Sequence, residues 1–237
     1  MIAWFSLQER LAYPNGLHSA FPFLEKFLLE KFHIPVFLSG FHIAFIKSSY
    51  LAGTVKGESK REGANRMQRV AEWIRGGDVT TFFWMNHSLR FPLLDRVMPL
   101  ITHLGGAVWC IGFTLILLVG GGVRWQQTGI HLALSLLISH LIVAVCKKIL
   151  PRPRPYQVLE DVCTGRKLLR DASFPSGHAT AAFCMATVLS VALPACILVF
   201  YSLAAAVAVS RVYLGLHYPS DVTIGAALGI GTAWMLV

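Results

Sequence analysis

Residues 195–221 read ACILVFYSLAAAVAVSRVYLGLHYPSD, and this stretch decides how the rest of the chain is understood. A nearly unbroken apolar run from Ala195 ends at Ser210-Arg211. His217 follows six residues after Arg211, Asp221 follows four residues after His217, and a second apolar run starts at once. A run of this length is either a membrane-crossing helix or the core helix of a large soluble protein. Composition separates the two readings. The 237 residues are 55% hydrophobic and only 14% charged, whereas a soluble domain carries about a quarter charged residues. The polar residues therefore sit where one apolar helix leaves a bilayer and the next enters it.

Working outward, four more stretches read as membrane helices: Val97–Gly120, Thr128–Leu150, His178–Leu193 and Asp221–Val237, beside Ala195–Tyr213 itself. Most approach the ~20 residues that cross a hydrocarbon core. The expected fold is all-α, a polytopic membrane helix bundle of five transmembrane helices, with Ile34–Ile46 as a candidate sixth span or interfacial segment near the N-terminus. Small residues crowd the last three helices, as in Ala204-Ala205-Ala206 and Gly225-x3-Gly229, which predicts close mutual packing. Phe82, Phe83, Trp84 and Phe91 suit an amphipathic helix at the interface. Lys56–Arg75 is a mostly basic linker or surface helix. The division expected is residues 1–66 as an N-terminal extension and 67–237 as the catalytic membrane domain. Met1–Leu11 lacks the pattern of a signal peptide.

The formal net charge is +9, so partners should be anionic. Nucleic acid is excluded as a partner, because the basic residues lie between apolar helices where a duplex cannot reach them. Lipid headgroups and phosphorylated lipids fit better. The five cysteines form no CxxC pair and read as small packing residues.

Counting spans from Val97 puts the loops 151–177 and 214–220 on one side of the membrane, and these loops carry three polar clusters. Lys147-x6-Arg154-Pro155 stands at a helix exit. It could be a basic lipid anchor, but its prolines fix the backbone and hold the arginines in place, where a planar guanidinium can grip a phosphoryl group. Phe174-Pro175-Ser176-Gly177-His178 opens a helix. Ser176 suits an N-cap, which leaves His178 unexplained. A helix start with free N–H groups receives anions, and a histidine there can exchange a proton with a bound phosphate ester. Ser210-Arg211-x5-His217-x3-Asp221 sets an imidazole four residues from a carboxylate, the arrangement that fixes one tautomer and frees the other nitrogen to attack. A capping aspartate beside an unrelated loop histidine is the plain alternative.

Together, complete and in order, the three clusters resemble the type 2 phosphatidic acid phosphatase superfamily, over roughly Asp78–Val237. The resemblance implies a membrane phosphatase acting on a lipid phosphate or pyrophosphate. It implies His217 as the nucleophile that becomes phosphohistidine, Asp221 as its orienting partner and His178 as general acid. It further implies Lys147, Arg154, Ser176, Gly177 and Arg211 as the phosphate-binding set. Three fixed cations could supply what Mg²⁺ supplies elsewhere, so neither a metal nor any other cofactor is expected. Arg152 and Lys148 fall outside the motif and read as secondary electrostatics. Glu160, Asp161 and Asp171 read as solvated loop charges, with a headgroup-gating role as the alternative. The remaining histidines, His131 and His140 among them, read as structural or interfacial.

A phosphotransferase would share the first half-reaction, and a transport or anchoring subunit would leave His178, His217 and Asp221 incidental. Undecaprenyl pyrophosphate, phosphatidylglycerol phosphate, phosphatidic acid and a lipid A phosphate are equivalent candidates at this point, and the oligomeric state is not written in any motif. The expected location is a bacterial plasma membrane, with the active site on its outer face.

Overall fold

The computed structural model describes residues 76–165 and 168–237, all within one compact unit, Glu62–Val237. Ile34–Ile46, Lys56–Arg75 and the division at residue 66 lie outside the described residues.

Among the described residues every regular element is helical. Helix α1 (76–83) runs into a π-helical turn, Trp84–Ser88. Helix α2 (Pro92–Ile101) passes through a 3₁₀ turn, Thr102–Gly105, into α3 (Ala107–Gly120). Helices α4 (Gly122–Ile149), a short α5 (Pro155–Val158), α6 (Gly177–Ala192), α7 (Ile197–Tyr213) and α8 (Pro219–Trp234) follow.

The stretch 97–120, expected as one span, is two helices bent by 51° about a break near Gly106. The cause is contact. A Cβ on Gly105 would lie 2.6 Å from the His178 carbonyl oxygen and 2.7 Å from Val207, so the 3₁₀ turn is pressed against α6 and α7. By length and apolarity two helical segments among the described residues can cross a membrane, Gly122–Ile149 and Pro194–Tyr213, and a third can if the bent pair counts as one. Helix α6 is apolar but shorter.

Helix α6 is the centre of the bundle, packed against α4, α7 and α8. Ala181, Cys184, Met185 and Val188 form its core with Leu132 of α4 and Ala233 of α8. The α6–α8 contact is backbone against backbone. A Cβ on Gly225 would come within 2.6 Å of the Ser176 carbonyl oxygen, and one on Gly229 within 2.2 Å of that of Thr180. This is the close approach that small residues permit. Large apolar side chains point outward instead, with Val108 91%, Val119 87% and Leu198 79% exposed. Such a surface is disfavoured in water and natural in lipid.

The aromatic cluster near residue 82 departs from the interfacial reading. Trp84 and Phe91 are exposed, but Phe82 is fully buried, its ring 5.7 Å from that of Tyr218. Asn86 is buried too, and donates to the carbonyls of Cys163 (2.9 Å) and Tyr213 (2.8 Å). The segment 76–88 is therefore a wall of the loop region rather than a surface raft.

Candidate functional site

Local sequence explains how the loops are pinned. Pro151, Pro153 and Pro155 stop α4 from continuing, and the chain returns across the helix ends. Ser176 caps α6, its hydroxyl accepting from the Ala179 N–H at 3.5 Å. Pro219 occupies the first turn of α8, and Asp221 accepts from the Tyr218 N–H at 2.9 Å, closing that helix start. The Ser176 N–H donates to the Asp221 carbonyl oxygen at 3.0 Å, so the starts of α6 and α8 are tied together. Gly215 has φ +72°, and a Cβ there would meet Val162 at 2.8 Å and the Cys163 carbonyl at 2.9 Å. A left-handed glycine is what lets the chain turn from α7 towards His217.

His217 is buried between two charged partners. Its Nδ1 faces Asp221 Oδ2 at 3.6 Å, a separation longer than a hydrogen bond. Its Nε2 lies 3.1 Å from Arg154 Nη1. A guanidinium has no lone pair to offer, so it can only donate. Nε2 must then be unprotonated, its lone pair accepting from Arg154, and the ring proton belongs on Nδ1, facing the carboxylate. Burial, aided by the charges of Arg211 and Arg154 and opposed by Asp221, lowers the His217 pKa to about 4, so the ring is neutral near pH 7.

Asp221 is fully buried and multiply bonded. Oδ2 accepts from the Ser173 hydroxyl and the Tyr218 N–H, and Oδ1 accepts from Arg152 Nη1 at 2.8 Å. Arg154, 1% exposed, also donates to the Leu216 carbonyl at 2.7 Å, to the Asp171 carbonyl at 2.9 Å and to Asp171 Oδ1 at 2.8 Å. Lys147 bonds the other oxygen of Asp171 and the Ala172 carbonyl (2.9 Å). Arg211 is buried. Its Nη1 donates to Thr102 Oγ1 at 2.9 Å, while Nε and Nη2 are without a partner among the described residues. Two unsatisfied guanidinium nitrogens inside a protein are unfavourable unless an anion meets them. Gly177 and His178 are half-buried in the first turn of α6, and His178 is near enough to Arg211 to feel its charge.

Arg154, His217 and Asp221 are thus joined by direct contacts, and Lys147 is joined to Arg154 through Asp171. Ser176 is tied to Asp221 through the backbone, and Arg211 opens unpaired donors into the same end of the bundle. Asp171 departs from the reading as a solvated loop charge. Burial alone would raise its pKa, but Lys147 and Arg154 outweigh that and hold it at about 2. Arg152 is likewise more than background charge. Burial would lower its pKa, but Asp221 and Asp78 raise it above the ordinary arginine value. Asp78, Thr102 and Ser173 have no motif to announce them, since each is a lone residue far from its partner in the chain.

Cations gathered around a neutral, carboxylate-backed imidazole at the mouth of an apolar bundle define a membrane enzyme that handles phosphoryl groups. The protein belongs to the PAP2 superfamily, whose family model matches residues 128–237. It is 33% identical over 153 residues to the decaprenylphosphoryl-5-phosphoribose phosphatase of Mycobacterium tuberculosis, covering 60% of this chain and 81% of that protein. It is 30% identical over 158 residues to phosphatidylglycerophosphatase B of Bacillus subtilis, covering 60% of this chain and 73% of that protein. Its fold matches the crystal structure of a transmembrane PAP2-type phosphatidylglycerolphosphate phosphatase from Bacillus subtilis, with a TM-score of 0.59 at 23% identity over 84% of this chain and 92% of the other. The homologues are lipid phosphatases of the PAP2 type, and this chain is an integral membrane protein of that family.

Proposed function

We propose that the protein hydrolyses a lipid phosphate or pyrophosphate through a phosphohistidine at His217, without a metal ion. The observation that carries this is the position of the His217 ring, with Nδ1 towards Asp221 and Nε2 towards Arg154. That orientation leaves a neutral nitrogen lone pair at the cationic cluster, where a phosphorus atom would be held.

In the first step Nε2 forms a bond to phosphorus while the bond to the leaving oxygen breaks, and His178, charged as the imidazolium beside the bound phosphate, gives that oxygen its proton and becomes neutral. Asp221 stabilises the positive charge that develops on His217. In the second step His178 removes a proton from water, whose oxygen attacks phosphorus, and the P–N bond breaks to restore neutral His217. Lys147, Arg154, Arg211, Ser176 and the Gly177 N–H neutralise the phosphoryl oxygens throughout. Fixed donors in a water-poor site stabilise such charge without reorganising.

The lipid tail remains beside the exposed apolar helix faces while the headgroup enters between the loops. Undecaprenyl pyrophosphate, phosphatidylglycerol phosphate, phosphatidic acid and a lipid A phosphate all fit this class. We place the catalytic domain, with five membrane-spanning helices, at residues 67–237, preceded by an extension at 1–66, with the active site on the outer face of a bacterial plasma membrane. A chain starting at Met67 that stays folded and active supports the division. Labelling of a cysteine introduced at Leu168 by an impermeant reagent on intact cells supports the orientation, and protection contradicts it.

The deciding experiment is phosphate release by the purified protein from a panel of undecaprenyl pyrophosphate, phosphatidic acid and phosphatidylglycerol phosphate, with EDTA present and His217→Ala alongside. Release that survives EDTA and disappears in the variant is expected. Loss with EDTA would sink the metal-free mechanism. Folded protein that releases phosphate from none of them would move the chemistry to a phosphotransferase.

A further inference from the structure

Asp221 faces the reacting histidine with one oxygen and a charged string with the other. Arg152 Nη1 donates to Asp221 Oδ1 at 2.8 Å, while Nη2 of the same guanidinium donates to Asp78 Oδ2 at 2.6 Å. Ser220 stitches the two ends. Its N–H donates to Asp78 Oδ1 at 2.9 Å, its hydroxyl donates to Asp78 Oδ2 at 2.6 Å, and that hydroxyl accepts from Arg152 Nη1 at 2.7 Å. The guanidinium carbon lies 3.9 Å from the centre of the Tyr218 ring, on the residue that precedes α8. Side-chain exposure is 5% for Asp78, 13% for Arg152 and 0% for Asp221.

A planar fork held at both nitrogens has one orientation, and so does the carboxylate it grips. A fork held at one nitrogen can rotate. We infer that Asp78 is a positioning residue for the reaction, acting through Arg152 to fix the plane of the Asp221 carboxylate and thereby the orientation of His217. The inference rests on the reading of His217 as the nucleophile. Burying two carboxylates around one arginine is expensive relative to apolar packing, and such clusters are best accounted for where they fix geometry. Asp78 lies in α1, 139 residues before His217 and outside all three motifs, so this role makes α1 part of the catalytic assembly.

Among the described residues the side chains of Lys147, Arg154 and Arg211 make no hydrogen bond to this string, and Ser176 meets it only through the backbone of Asp221, so Asp78 should govern turnover and not substrate binding. The experiment compares the full-length wild type, Asp78→Asn, Arg152→Lys and His217→Ala in detergent, on the panel lipid that the wild type hydrolyses fastest, with rates divided by the folded fraction. Lysine lacks the planar fork that fixes both carboxylates in one plane, so Arg152→Lys loosens the string even if Asp78→Asn folds poorly. The expected result is a fall in kcat of about 10- to 100-fold in both string variants, the range known for outer partners that orient a reactive ligand. KM should stay within about twofold, and single-turnover formation of phosphohistidine should slow by the same factor as kcat. A lowered Tm with wild-type kcat per folded molecule would overturn the inference, because it would make Asp78 a tether for α8 only. If His217→Ala keeps activity, the nucleophile reading fails instead, and the two failures cannot be confused.

Discussion

Asp171 Oδ1 lies 2.8 Å from Arg154 Nη2, and its second oxygen bonds Lys147. One loop carboxylate thus bridges two cations proposed to hold the substrate phosphate, although its own side chain is 54% exposed. A phosphoryl group entering the site meets donors that are already engaged. Asp171 is the exposed partner of both pairs and keeps access to water as an alternative, so the bridge is one a dianion can displace.

The Asp171→Asn variant should therefore bind its lipid more tightly. We expect KM to fall about two- to fivefold with kcat little changed, the factor that a displaced exposed ion pair implies. Steady-state kinetics in mixed micelles would check it. A raised KM would mean that Asp171 holds the cations in place for the substrate.

Among the described residues Arg211 depends on Thr102 for its one side-chain hydrogen bond. Thr102→Val keeps the shape and removes the acceptor, leaving the guanidinium unrestrained. A lost hydrogen bond of roughly 1 kcal/mol predicts about a fivefold fall in kcat/KM. Unchanged kinetics would show that packing by the 3₁₀ turn alone positions Arg211.

Gly229→Val should part α6 from α8, because its Cβ would stand 2.2 Å from the Thr180 carbonyl oxygen and 2.9 Å from the Cys184 nitrogen. Overpacking of this kind destabilises by about 1–3 kcal/mol. Gly231→Ala, two residues on, meets nothing within 4 Å and should be neutral or slightly stabilising. Thermal unfolding of the two variants in the same detergent compares them, and equal Tm values would contradict the close-contact reading.

Stability should also depend on pH through His217. Its pKa is lowered from 6.5 to about 4 by folding, so between those values the unfolded chain binds more protons than the folded one. The histidine contribution is fully present above about pH 6.5 and is lost as pH falls towards 4. Asp171, held at about 2, adds a similar loss further down, between 3.8 and 2. His217→Gln cannot titrate, so its Tm should fall less steeply than that of the wild type between pH 6.5 and 4. Parallel slopes would contradict this.

Much of the site could be anticipated because its motifs are local. Ser176 capping α6, Pro219 and Asp221 opening α8, and Arg211 in the last turn of α7 each follow from residues a few positions apart. The glycine pair 225 and 229 likewise announced the close packing it makes with α6. The bend at Gly106 was not legible, because 97–120 is apolar throughout and the break comes from α6 and α7 pressing on Gly105. Asp171 resembled any other charged loop residue until its partners were known.

The amino-acid sequence by itself determined the membrane-helix class, the polar clusters at the helix ends and the family, since apolar run length and short spacings express those directly. Only the tertiary structure decided which charges meet: Asp171 with Lys147 and Arg154, Arg211 with Thr102, and Asp78 with Arg152 and Asp221. The physical reason is that an ion pair needs a few ångströms of separation. Where the partners lie 17 to 109 residues apart, helix packing sets that distance, and no local pattern records it.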